Sequence, residues 1–321
     1  MNEDVLEPLA RTGRWHSRPV TYWGGRWEYL RRQIPQFKIE DFRVSKETPS
    51  NPYMKSVVRV PRTAVEHLMP VGVVSNTYTL IQHDAVVQKC FDAIRKVEID
   101  PGSLRCELGL TELGEWMNLR IFLPDRFVHM PKDDQRLDLC LECFNSVEGS
   151  SRLIVLFGWM RLVCSNGLVI RETKAELSDL HNKNIDLDKI TEIVGDGLNL
   201  VGQDLIRLSG WEEHRVRIDQ IAAWADKILS THWGKKAACR VFHICQGGHD
   251  VDYADPFAPG EPSVKPVVPT CEVPGACIPA KNLYDVSQAL AWVATSYQNT
   301  EERLEHQASI SDMITKLGVI G

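Results

Sequence analysis

Long apolar runs are missing from this chain: nowhere do 18 apolar residues follow one another, so no membrane-spanning helix is expected. The opening residues MNEDVLEPLARTG lack the basic, apolar and small-residue regions of a secretory signal, and a cytoplasmic location is the expectation. Also missing are GxxxxGK[ST], GxGxxG, GxSxG and HExxH. Nucleotide hydrolysis, dinucleotide binding and the commonest hydrolase chemistries therefore have no direct support, and neither a catalytic residue nor a cofactor is expected. A surplus of positive charge is absent too. With 37 Lys and Arg against 43 Asp and Glu, the formal charge is −6, which argues against coating duplex DNA by charge alone but permits a local basic groove.

Nine cysteines are present, an odd number spread through apolar segments of a large chain. That is unlike a disulfide framework, and they read as reduced thiols. The 321 residues, 25% charged and 43% hydrophobic, suffice for one large globular domain or two ordinary ones.

Residues 9 to 32 interleave arginines with Trp15, Tyr22, Trp23, Trp27 and Tyr29, and no helical or strand period organises them. Such an arm either packs on its own domain, reaches a neighbouring subunit, or offers guanidinium and aromatic faces to nucleic acid. Between 57 and 81 the segments VVRV, VGVV and YTLI read as short strands. A helix should follow, with Asp84 as N-cap and Val86, Val87, Cys90, Phe91, Ile94 and Val97 at helical spacing. From Leu104 the period becomes two through LRCELGLTEL, WMNLRIFL, LDLCLECF and RLIVLFGWMRLVC, separated by turn residues at Gly114, 131–134, 148–150 and Asn166-Gly167. Consecutive strands with short links imply an antiparallel meander. Helical stripes follow at 190–208, 221–229 and 235–245, the last stopped by Gly247-Gly248, and two more helices end the chain. Seven prolines between 249 and 282 predict a long irregular loop.

Cys140 and Cys143 form a CxxC, but positions three apart point to opposite faces of a strand, so they read as core or edge cysteines and not as converging ligands. Cys239, His243, Cys245, His249, Cys271 and Cys277 offer N and S donors whose spacing fits no zinc motif; thiols without a metal are the preferred reading. The acidic run His249 to Asp255 lacks the glycine and terminal Glu of a calcium loop and reads as a solvated turn. Asn145, Ser146, Ser150, Ser151, Arg152, Arg161, Ser165 and Asn166 place polar groups at strand ends of an otherwise apolar sheet. They either satisfy turn backbone or line a functional edge.

The stretches PVGVVSNTYTLIQHDAVVQKCFDAI (70–94), GEWMNLRIFLPD (114–125), CFNSVEGSSRLIVLFGWMRLVCSNGLVI (143–170), HNKNIDLDKI (181–190) and NLYDVSQALAWVATSY (282–297) resemble a phage/plasmid-like family catalogued as domain of unknown function 932. The resemblance spans roughly residues 55 to 310. RLVCSNGL is its most specific piece, with Arg161, Cys164 and Asn166 on the recurrent R-x-V-C-x-N pattern; Asn145 and Ser146 lie in the same matching stretch. It implies a setting in phage, plasmid and other mobile genomes but supplies no reaction. The order of a helix, a β-meander and further helices is also similar to that of single-strand annealing proteins.

The expected fold is α+β, an antiparallel β-meander with helices before and after it and a long proline-rich loop. The expected organisation is an Arg/Trp-rich arm (1–55), an α+β core (56–248), the loop (249–282) and C-terminal helices (283–321). The expected function is a nucleic-acid-handling accessory protein, most concretely an oligomeric single-stranded DNA binding or annealing protein, contacted through Arg14, Arg18, Trp23, Arg26 and Arg161. The alternatives are a counter-defence protein that binds a host protein and, third, a metal-dependent enzyme using Cys and His between 239 and 277.

Overall fold

The computed structural model describes residues 7–8, 18–161, 176–179, 181, 185–253, 267–297 and 300–320. In chain order these form β1 (Glu7–Pro8), β2 (Val20–Arg26), α1 (Trp27–Leu30), β3 (Phe37–Asp41), β4 (Met54–Arg59), β5 (Met69–Ser75), α2 (His83–Lys96), β6 (Arg105–Thr111), β7 (Trp116–Phe122), β8 (Leu137–Ser146), β9 (Leu153–Arg161) and β10 (Glu176–Asp179). Then come α3 (Lys189–Glu213), α4 (Ile218–Trp224), a π-helical turn (Ala225–Leu229), α5 (Ser230–Gly247), β11 (His249–Tyr253), β12 (Val267–Glu272), α6 (Leu283–Thr295) and α7 (Thr300–Ile320). The fold is α+β. No helix among the described residues is long and apolar enough to cross a membrane.

The chain folds into two compact units. Unit 1 comprises residues 1–127, 139–157 and 174–199; unit 2 comprises 128–138, 158–173 and 200–321. The seven-stranded sheet runs β1-β2-β6-β7-β8-β9-β10. Its period-two segments pair antiparallel in register, for example Leu108 opposite Leu119 and Leu119 opposite Cys143. The face bearing those residues meets α2, where the neighbouring Cys90 and burial push the Cys143 thiol well above its ordinary range. The opposite face carries charge in a row: Glu107 is opposite Arg120, and Arg120 opposite Glu142. Cys140, opposite Phe122, lies on the charged face, so the CxxC sulfurs diverge as strand alternation requires.

Residues 20–26, where the sequence shows no period, form β2 opposite β6. The reason is the pair of glycines at 24 and 25, which erase the alternation without preventing pairing. YTLI (78–81) is not a strand. The Tyr78 hydroxyl donates to the carbonyl of Val147 (3.0 Å) and the Thr79 N–H to the carbonyl of His181 (3.2 Å), so this segment's polar groups leave the ladder. The N-cap position of α2 is Gln82, not Asp84. Gln82 is held there by its amide, which accepts from the Phe37 N–H (3.1 Å) and donates to the Phe37 carbonyl (2.6 Å).

Within unit 1, α3 packs closely on β9 at Gly197, where an added Cβ would lie 2.2 Å from Phe157 Cδ1. Gly197→Val should therefore cost about 1–3 kcal/mol in chemical denaturation, because the buried ring has nowhere to go. Gly202→Ala, on the same helix with open space around it, should gain up to about 1 kcal/mol from helix propensity. Equal effects at the two sites would refute the packing account.

In unit 2 the ends of the proline-rich stretch are not irregular: β11 and β12 pair antiparallel, with a register shift between Asp250 and Val251. Pro269 stands opposite Val251 beside that shift, a position in an edge strand that tolerates a missing N–H. Residues 249–253 of the acidic run are strand and not a solvated turn, while Ala254 and Asp255 lie outside the described residues. Asp250 is buried and accepts from Arg240 Nε (2.8 Å) and Nη2 (2.6 Å) and from Trp292 Nε1 (2.8 Å). The three groups fasten the hairpin to α5 and α6. Within the α5 span, Gly234 adopts φ 85° and ψ 160°, which breaks the helix. Gly248 then ends it in the left-handed conformation.

Candidate nucleic-acid interface

The three-stranded sheet of unit 1 runs β3-β4-β5. Its inner residues Phe37, Val57, Val71 and Val74 form a core cluster with Val147. Its periphery is different in kind. Of the fourteen exposed large apolar side chains among the described residues, nine lie between Ile39 and Val73. The exposed Phe, Tyr and Trp rings among the described residues are those of Phe42 and Tyr53. Asp41 is opposite Lys55 in the β3–β4 register, so Phe42 leaves β3 and Tyr53 enters β4 at the same end of the hairpin. Arg43 and Lys55 flank them, both at 2.8 Å from the Asp41 carboxylate, with exposed Lys46 in the connecting loop. The two cations hold the Asp41 carboxyl below its ordinary range, Lys55 contributing most. Between Arg18 and Leu80 there are ten Lys and Arg against five Asp and Glu, in a chain whose formal charge is −6.

The residues expected to contact nucleic acid stand in different settings. Arg14 lies outside the described residues. Arg18 is ion-paired with buried Glu115, whose other oxygen accepts from Thr111 (2.7 Å). Trp23 and Arg26 are half-buried on β2, with Arg26 opposite Arg105. Arg161, in unit 2, is 2% exposed. Its Nη1 donates to Gln288 (3.1 Å), its Nη2 lies 2.9 Å from the Asp133 carboxylate, and it packs on the turn at Gly275. Burial removes it from any strand contact in this arrangement and makes it an organising group of unit 2. Cys164 and Asn166 lie outside the described residues.

Asn145 and Ser146 are wholly buried in unit 1. Asn145 Nδ2 donates to the Ile81 carbonyl (3.1 Å) and to His83 Nδ1 (2.9 Å), while His83 Nε2 donates to the Gly114 carbonyl (2.8 Å). The carbonyls fix both the amide orientation and the neutral tautomer. Burial pushes His83 down to about 4. His181 Nδ1 meets the Tyr78 hydroxyl at 2.7 Å, and burial lowers it to about 4 as well. These groups tie the end of β8 to the start of α2.

The N and S donors of unit 2 do not converge. Cys245 is buried, Cys239, His243 and Cys277 are half-buried, and Cys271 and His249 are exposed. Burial raises the Cys245 thiol and lowers the His243 imidazole. Among the described residues no three His, Cys, Asp or Glu are grouped to hold a metal ion.

Sequence reasoning finds β4 through VVRV but passes over β3 and the exposed end of the hairpin, because the arm before it is denser in Arg and Trp. The signal is present as F-R-V-S-K and Y-M-K, aromatic and basic residues interleaved on either side of a turn.

No curated protein and no solved structure matches the chain. A family model described as domain of unknown function 932 matches residues 70–247. That span begins after the β3–β4 hairpin and ends before residues 282–297, and because it covers more than half of the sequence the chain belongs to that family.

Proposed function

We propose that this protein is a nucleic-acid-handling accessory protein of a mobile element that binds and anneals single-stranded DNA, with the β3–β4 hairpin of unit 1 as its contact surface. The observation that carries this reading is that Phe42 and Tyr53, the exposed Phe and Tyr rings among the described residues, lie at the end of the hairpin that also carries Arg43 and Lys55, with exposed Lys46 in its loop. Proteins that hold single strands without reading sequence combine cations that track the backbone with aromatic faces on which bases stack. The overall acidity is compatible with this, because between Arg18 and Leu80 Lys and Arg outnumber Asp and Glu by ten to five.

Fluorescence anisotropy with a labelled single strand tests the reading. Binding at low salt is expected, weakening with added salt as phosphate contacts release counterions. Phe42→Ala and Tyr53→Ala should each cost about 1–3 kcal/mol of binding, the range for one stacked base. No binding at low salt, or full binding by the double variant, would sink the proposal. If Arg14→Ala with Arg26→Ala weakens binding instead, the strand lies on the arm.

A further inference from the structure

The small sheet of unit 1 has two edges, and they are built differently. β5 carries Pro70 and pairs with β4 through a register shift between Val57 and Val58, two devices that discourage further pairing. β3 carries neither. Lys38 to Asp41 are exposed, and among the described residues β3 pairs with β4 alone. The Phe37 N–H and carbonyl face away from β4, since Gln82 takes both. Backbone groups alternate sides along an antiparallel strand, so the N–H and carbonyl of Ile39 and Asp41 face the same open side.

We propose that β3 is a self-complementary edge on which a second copy of this chain docks antiparallel, Ile39 opposite Ile39 of the partner subunit. That register puts Lys38 opposite the partner's Glu40 and Glu40 opposite the partner's Lys38. Strand alternation allows slips only by steps that keep the outward residues facing. One neighbouring register sets Lys38 against its own copy, the other Glu40 against its own copy, and like charges directly opposite are unfavourable. In the single chain the two side chains bridge each other at 2.5 Å, both 45% exposed, so they are available to exchange partners. Gln82, bound at Phe37, closes the ladder at both ends and limits it to the central residues. Main-chain pairing supplies the contact and the charges select its register. The inference concerns assembly and stands independently of what the hairpin binds.

The test is a charge exchange read by light scattering or sedimentation at micromolar protein. The full chain should show twice its 36.4 kDa. Lys38→Glu alone and Glu40→Lys alone should each run at the mass of one chain with unchanged circular dichroism. Mixing the two variants should restore the doubled mass. One chain then presents carboxylates at both positions 38 and 40, the other presents ammonium groups at both, and each crossed pair joins opposite charges. A wild-type chain that runs singly, single variants that keep the wild-type mass, or a mixture that fails to associate would overturn the proposal.

Discussion

Arg120→Met is expected to cost about 3–5 kcal/mol of stability, the range for removing one partner from a buried ion pair. Arg120 Nε donates to Glu142 Oε1 at 2.7 Å, Asn118 donates to the same oxygen at 3.0 Å, and Arg120 Nη1 lies 3.8 Å from Glu107 Oε2. The three charged side chains are each no more than 10% exposed. Without the guanidinium, Glu142 keeps the neutral Asn118 donor but loses the charge of Arg120, and a buried carboxylate so weakened takes up a proton or admits water. Arg120→Met with Glu142→Leu should be milder than Arg120→Met alone, since the stranded charge goes too. Urea denaturation of the wild type, Arg120→Met, Glu142→Leu and the double variant checks this. Simple addition of the two single effects would show that the row of charges does not act as a unit.

Acidification should weaken the protein well before its carboxylates protonate. His83 has a folded value of about 4 against an ordinary 6.5, so the unfolded chain binds the proton first as pH falls. Stability is therefore complete above the unfolded value and is lost between pH 6.5 and 4. The loss approaches about 3 kcal/mol for this fully buried histidine, at roughly 1.4 kcal/mol per pH unit. His181, also lowered to about 4, adds a loss of the same sign in the same window. The structural cause at His83 is specific. Protonating Nδ1 would set a donor against the Asn145 amide, which the Ile81 carbonyl prevents from turning over. Denaturation curves at about pH 7.5, 6 and 5 should show the slope; equal midpoints across that range would contradict neutral burial.

What the sequence discloses follows from which signals are local. The apolar spacing of α2 and the alternation of β6 to β9 are written in consecutive residues, and both form where periodicity places them. β2 is hidden because Tyr-Trp-Gly-Gly-Arg presents no alternation; its place is set by β6, about eighty residues later in the chain. Proline reads as excluding strands, yet Pro269 sits at an edge beside a bulge, where no N–H is required. The site is less legible than the fold. Arg161 looks like a sheet-edge cation because its partners are remote, Gln288 lying 127 residues on. Burial of that kind has no signature in neighbouring residues. Asn145 stands out by its polarity, but its role depends on His83, 62 residues earlier.

The interruption at Gly234 governs how unit 2 opens. Helical cooperativity depends on an unbroken ladder of i to i−4 bonds, and a residue at φ 85° and ψ 160° cannot carry it forward. The segment from Ile218 to Trp233, with its π-helical turn, and the segment from Lys235 to Gly247 therefore fray independently. Thermal agitation at one does not run into the other, so the longest nominal helical run of the unit behaves as two short opening units joined by a single glycine.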